Sequence, residues 1–118
     1  MNRQAVQTLK TYFGYDTFRE GQEAVIDALL AGKDVLAVMP TGAGKSICYQ
    51  VPALMLSGIT IVISPLISLM QDQVKALNEA GIHAAFINSS LSESQISKAL
   101  YLAAGGRYKI IYVAPERL

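Results

Sequence analysis

The chain has 118 residues, 52% hydrophobic and 16% charged, with ten Lys and Arg against nine Asp and Glu. That length suits a single domain with a real core and is short for a complete energy-coupled machine, while the near-neutral charge excludes a global basic field, so any nucleic-acid binding must come from local geometry. The lone Cys48 excludes an internal disulfide and a C-x-x-C zinc pair, and the sequence carries neither a secretion-signal layout nor an apolar run of membrane-span length, so a reducing, cytoplasmic setting is expected.

In chain order, Val6, Leu9, Tyr12 and Phe13 fall at helical spacing before Gly14, which predicts a short amphipathic helix over residues 3 to 13 with a left-handed stop. A second helix is expected from about Gly21 to Ala31, with Val25, Ala28 and Leu29 inward and Gly32 closing it. The segment between, Tyr15 to Gln22, reads on its own residues as a helix–helix corner whose aromatics fill the core. From Asp34 the pattern becomes a strand through the apolar run Val35 to Met39. A glycine-bearing loop (Met39 to Ser46) and a helix from Ile47 to Leu56 follow, and Pro52 predicts a bend or early stop in that helix.

The β-branched run Ile59 to Ser64 predicts a strand buried on both faces, ended by Ser64-Pro65. Residues 67 to 80 return to helical spacing through Met70, Val74 and Leu77, with Gly81 as the stop. Ile82 to Asn88 is a third strand candidate. The Ser90-x-x-Glu93 spacing after it reads as a capping box for a helix carrying Ile96, Leu100 and Ala103 inward. Tyr108 to Val113 is the fourth strand candidate, and Ala114 to Leu118 reads as a loop entering another helix. Strands alternating with helices imply right-handed parallel crossovers, hence an α/β fold with a parallel sheet and helices on both faces. Ligands bind outside the carboxyl ends of such strands, an edge that would collect Thr41 to Ser46, Ser64 to Ser68, Asn88 to Ser90 and Ala114 to Arg117.

The loop carries the clearest chemistry. Thr41, Gly42, Ala43 and Gly44 join a strand to a helix, a layout that gathers backbone N–H groups around a concavity suited to phosphate. Lys45 can carry charge to the β- and γ-phosphates, and the Ser46 hydroxyl can ligate Mg²⁺. The pattern G-x-x-x-x-G-K-[ST] is met except at its first glycine, where Met39 stands.

Together these residues resemble the first motor domain of the RecQ-family DNA helicases, within superfamily 2. Phe13-Gly14-Tyr15-x-x-Phe18-Arg19-x-Gly21-Gln22 is similar to that family's motif 0, Met39 to Ser46 to motif I, Ser64 to Val74 to motif Ia, and Ala114 to Leu118 to motif Ib. The resemblance implies a partial RecA-like P-loop NTPase domain over residues 1–118, with residues 1–32 as its motif 0 helical segment. It also implies ATP and Mg²⁺ as cofactors, and single-stranded or duplex-junction DNA as partner. Under it Tyr15 stacks on adenine, Arg19 and Gln22 contact the base, Lys45 and Ser46 serve the phosphates and Mg²⁺, and a methionine at position 39 is normal. Ser64, Pro65, Ser68, Asn88, Ser89, Glu116 and Arg117 are expected along the DNA path, binding phosphate oxygens without reading bases.

The implied activity is that of an ATP-dependent 3′-to-5′ DNA helicase, of the kind used in DNA repair and recombination. The family's Asp-Glu-Ala-His box has no counterpart, since no Asp-Glu pair occurs in the sequence. These 118 residues alone are therefore expected to show negligible ATPase and to leave apolar sheet edges unpaired. Two other readings stay open: a non-catalytic nucleotide- or DNA-binding module that retains the fold, and a superfamily 2 motor acting on RNA. Cys48 reads as a small buried hydrophobe, His83 as a strand or surface residue, and Tyr101, Tyr108 and Tyr112 as packing.

Overall fold

The computed structural model describes residues 2–38, 44–88 and 91–117, the last without its side chain. They fall into two compact units, residues 1–57 and 58–118.

The first unit is helical. Helix α1 (Arg3–Thr8) is capped by Asn2, whose Oδ1 accepts from the Ala5 amide at 3.1 Å, and it passes directly into a π-helical turn, Leu9–Phe13. A π turn adds a residue to the helical repeat and so rotates the side chains that follow. Leu9 is buried and Phe13 packs on the core, whereas Tyr12, expected inward, is 39% exposed. Gly14 ends the turn at φ 75°, the left-handed stop expected there.

Helix α2 (Gln22–Leu30) buries Ile26 completely, and the inward line runs Gln22, Ile26, Leu30 at four-residue spacing rather than along Val25, Ala28 and Leu29. The two apolar lines adjoin on the helix, and periodicity does not choose between them. Helix α3 (Ile47–Met55) continues through Pro52 for three residues and stops at an extended Leu56. Ala5, Leu9, Ile26, Ile47 and Val51 form the core of this unit.

The strand expected from Asp34 is absent as a paired strand: residues 33–38 have no ladder, and Leu36 and Val38 are 92% and 90% exposed. A strand is held by its hydrogen-bonded neighbour, and among the described residues none pairs with this run.

The second unit holds the sheet. Strands β1 (Thr60–Ile63), β2 (Ala84–Ile87) and β3 (Ile110–Val113) are all parallel in the order β1-β3-β2, with Thr60, Ile110 and Ala84 abreast at one end and Ile63, Val113 and Ile87 at the other. Helix α4 (Ile67–Glu79) links β1 to β2, and α5 (Glu93–Ala104) links β2 back to β3. The two crossovers run in opposite senses across the sheet, and right-handedness then sends their helices to opposite faces. On one face Ile87, Ile111 and Val113 meet Ile96, Ala99 and Ala103 of α5, while α4 packs on β2 and buries Met70, Val74 and Leu77.

Central β3 is buried at all four positions, including Tyr112. By contrast β1, expected to be covered on both faces, has Ile61 and Ile63 62% and 56% exposed, because it is an edge strand here. The cap of α5 also differs from expectation. Ser92 closes a capping box with Gln95: the Gln95 amide donates to Ser92 Oγ at 3.2 Å, and Gln95 Oε1 accepts from the Ser92 amide at 2.8 Å. Ser90 lies outside the described residues, and Leu100 is 55% exposed, its inward place taken by Ala99. Tyr101, expected to pack, is 78% exposed.

Candidate functional site

The corner between the π turn and α2 sorts its side chains by role. Phe18 packs on the core, Tyr15 is 54% exposed and Arg19 is exposed, but Gln22 is only 3% exposed. The corner closes on itself: the Gln22 amide donates to the Arg19 carbonyl at 3.1 Å, and the Arg19 amide donates back to Gln22 Oε1 at 2.7 Å. Gly21, at φ 86°, permits the reversal.

The other end of the Gln22 side chain reaches 22 residues ahead, where Nε2 donates to the Gly44 carbonyl at 2.9 Å. Gly44 has φ 76°, and a Cβ built on it collides with Gln22 Nε2 and lies 3.9 Å from Arg19 Cδ. The corner before α2 and Gly44 are therefore in direct contact.

Past Gly44, Lys45 is exposed and Ser46 half-buried. Ser46 holds the N-cap position of α3 with helical dihedrals, yet its hydroxyl makes no capping bond, unlike the side chains of Asn2 and Ser92 at their helices. One hydroxyl suits Mg²⁺ in a nucleotide site, where phosphates and waters supply most of the octahedron. Among the described residues no group of three or more His, Cys, Asp or Glu could hold a metal by itself. Behind Lys45, the side chains of Val25, Leu29, Val35, Ala37, Cys48 and Tyr49 complete a cavity of about 200 Å³. Burial pushes the Cys48 thiol above its ordinary value, against a smaller opposing effect from a backbone hydrogen bond.

In the second unit the strand ends lie level. The Ser64 amide donates to the Val113 carbonyl at 3.1 Å and the Ala114 amide to the Ile87 carbonyl at 3.0 Å, so the loops after the three strands leave from one edge. Ser64 Oγ accepts from the Leu66 amide at 3.2 Å, while Pro65, Ser68 and Glu116 are exposed.

A family model described as DEAD/DEAH box helicase matches residues 19–118. The chain belongs to that family. Among relatives of this DEAD/DEAH box chain, the ATP-dependent DNA helicase RecQ of Bacillus subtilis is 55% identical over 119 residues, covering all of this chain and 20% of that protein. The RecQ of Haemophilus influenzae is 53% identical over 114 residues, covering 97% and 18%. The chain thus spans about a fifth of the length of the curated relatives it matches. A solved structure, a hypothetical ATP-dependent RNA helicase from Sulfolobus tokodaii, superposes with a TM-score of 0.75 at 24% identity over 99% of this chain and 35% of its own, which establishes the fold.

Of the residues expected at the site in this DEAD/DEAH box chain, Arg19, Gln22 and Gly44 come together, Lys45 and Ser46 follow in sequence, and Tyr15 stands exposed beside the corner in sequence. Thr41, Gly42, Ala43 and Ser89 lie outside the described residues, as does the Arg117 side chain. Asn88, expected on the DNA path, is fully buried and donates to Met70 Sδ at 3.8 Å, so its side chain braces β2 against α4 instead of facing solvent. A fully buried amide needs partners inside the protein, and β-strand alternation does not reveal that at a strand end. Sequence reasoning also missed the tie between Gln22 and Gly44, whose one visible sign is a glycine required at position 44.

Proposed function

We propose that this chain is the ATP-binding part of an ATP-dependent 3′-to-5′ DNA helicase of RecQ type that couples ATP hydrolysis to unwinding. The observation that carries the reading is the 2.9 Å bond from Gln22 to the Gly44 carbonyl, which joins a candidate base-binding corner to a candidate phosphate loop. The RecQ names of the relatives support the choice of DNA over RNA.

In this reading Tyr15 offers its exposed ring to adenine, Arg19 and Gln22 flank the base, and the amides from Thr41 to Gly44 surround the phosphates. Lys45 would place its ammonium on the β- and γ-phosphates, and Ser46, whose hydroxyl is not spent on capping, would supply one oxygen to Mg²⁺. Bound Mg²⁺ would neutralise charge on the phosphoryl group. Ser64, Pro65, Ser68, Ser89, Glu116 and Arg117 line the path of single-stranded or junction DNA from the carboxyl edge of the sheet, contacting phosphates only. Asn88 supports that edge from within. The setting is cytoplasmic, and no helix among the described residues is long and apolar enough to cross a membrane.

Titration with mant-ATP and Mg²⁺ tests the site. Lys45→Ala is expected to weaken binding at least about tenfold, on the scale of one lost charge-assisted contact. Equal affinity in the two proteins would overturn the phosphate assignment.

A further inference from the structure

The outer face of α5 takes no part in the site described above. Its inward line is Ile96, Ala99 and Ala103, and the line opposite runs through Ser94, Lys98, Tyr101 and Gly105, all exposed. Tyr101 is the most open aromatic ring among the described residues. Just past the helix the chain closes a Schellman turn: Gly106 takes φ 75°, its amide donates to the Ala103 carbonyl at 3.0 Å, and the Arg107 amide donates to the Leu102 carbonyl at 3.0 Å. Such a turn frequently sets an apolar residue against the helix at the place Arg107 holds. Here a cation stands there, and Tyr101, Leu102, Ala104, Gly105 and Arg107 line an open concavity of about 460 Å³.

Charge decides what suits this surface. From Ser94 to Pro115 the chain carries Lys98, Arg107 and Lys109 and no acidic residue, while α4, with Asp72 and Glu79, lies on the other face of the sheet. Among the described residues the side chains of Lys98, Tyr101 and Arg107 have no hydrogen-bond or ion-pair partner. A cation, an open ring and a second cation in succession match the alternation of phosphate and base along a single strand, which is held by stacking and charge without base reading. An acidic peptide would also need its main-chain groups met, and a helix face has no free N–H or C=O to pair with them.

We propose that the outer face of α5 is a second contact for single-stranded nucleic acid, with a base stacked on Tyr101 over the small residues Ala104 and Gly105 and flanking phosphates held by Lys98 and Arg107. The end of α5 lies at the amino end of the strands, about 18 Å along the helix from the carboxyl edge, so this contact is separate from the path proposed above. The inference rests on the reading of the protein as one that handles single strands.

The test is the binding of fluorescein-labelled oligo(dT) to the whole protein that carries this chain, measured over a range of salt. Tyr101→Ala is expected to weaken binding about fivefold or more, the scale of one lost stacked base, while Tyr101→Phe, which keeps the ring, stays within about twofold of wild type. Arg107→Gln should lower the slope of log affinity against log salt by about 0.7, the contribution of one phosphate on a single strand. Unchanged affinity and slope in these variants, with wild type binding well, would overturn the proposal and leave the carboxyl edge as the strand contact. Failure of wild type to bind oligo(dT) at all would overturn the underlying reading and this proposal together. If Tyr101→Ala instead loses affinity for an oligoglutamate peptide bearing one aromatic residue, with oligo(dT) binding unaffected, the surface is a peptide site and the proposal fails. A measurement on unaltered protein guards against variants that do not fold: an oligonucleotide carrying 5-iododeoxyuridine is expected to photocrosslink to the tryptic peptide from Ala99 to Arg107, and crosslinks confined to other peptides would sink the proposal.

Discussion

Two neighbouring residues at the loop end, Gly44 and Lys45, should separate stability from binding. Gly44→Ala forces an L side chain to φ 76° and into Gln22, so urea unfolding is expected to show a loss of about 1–3 kcal/mol along with weaker mant-ATP binding. Lys45→Ala removes an exposed side chain and should leave stability within about 0.5 kcal/mol while binding falls. Three residues beyond Lys45, Cys48 is 6% exposed and its thiol is pushed up by burial. The native state keeps its proton longer than the unfolded chain, so stability is full below the unfolded pKa of about 8.5 and falls as pH rises above it toward the raised folded value. Unfolding midpoints from pH 7 to 10 should decline more in wild type than in Cys48→Ala. At this scale residue type and order suffice to propose roles for Lys45 and Ser46. The burial of Gln22 and Asn88 was not, since a polar side chain turns inward only when distant groups meet it.

Asn2 and Ser92 bond the first turns of their helices through their side chains, whereas Ser46 does not. Ser92→Ala removes the half of a reciprocal box in which the Gln95 amide donates to Ser92 Oγ, and is expected to cost about 1 kcal/mol, seen as a lower urea midpoint. Ser46→Ala should cost under about 0.5 kcal/mol in the same assay, because its hydroxyl caps nothing. The α5 cap also shows where reading helices from sequence runs short. Ser90-x-x-Glu93 and Ser92-x-x-Gln95 satisfy the same pattern two residues apart, and only the packing of Ile96, Ala99 and Ala103 on the sheet decides between them. The inward line of α2 moved by one residue for a similar reason, and that of α1 because a π turn leaves no mark in apolar spacing. Gly14, Gly32 and Gly81 marked helix ends reliably, each with φ between 75° and 87°.

At the scale of the chain, three of four expected strands pair among the described residues, and the parallel α/β fold follows from their alternation with helices. What alternation could not supply was neighbourhood. Val35 to Val38 is as apolar as β1, and its failure to pair depends on what else is present to accept its hydrogen bonds. The exposed Ile61 and Ile63 on edge strand β1, with Leu36 and Val38, leave the 118-residue chain prone to self-association. Sedimentation velocity should show concentration-dependent association of this chain, reduced in Ile61→Lys/Ile63→Lys without loss of far-UV helicity.

The strand order β1-β3-β2 has a consequence for how the chain is born. Of the three strands among the described residues, the first two to be made never touch; each waits for the third, made some twenty to fifty residues later, to slip between them. Until Val113 has emerged there is no ladder for either to join, and a nascent chain arrested before Ile110 must shelter two bare apolar ribbons with its helices alone. Pairing of these three strands is thus a single late event rather than a gradual accretion.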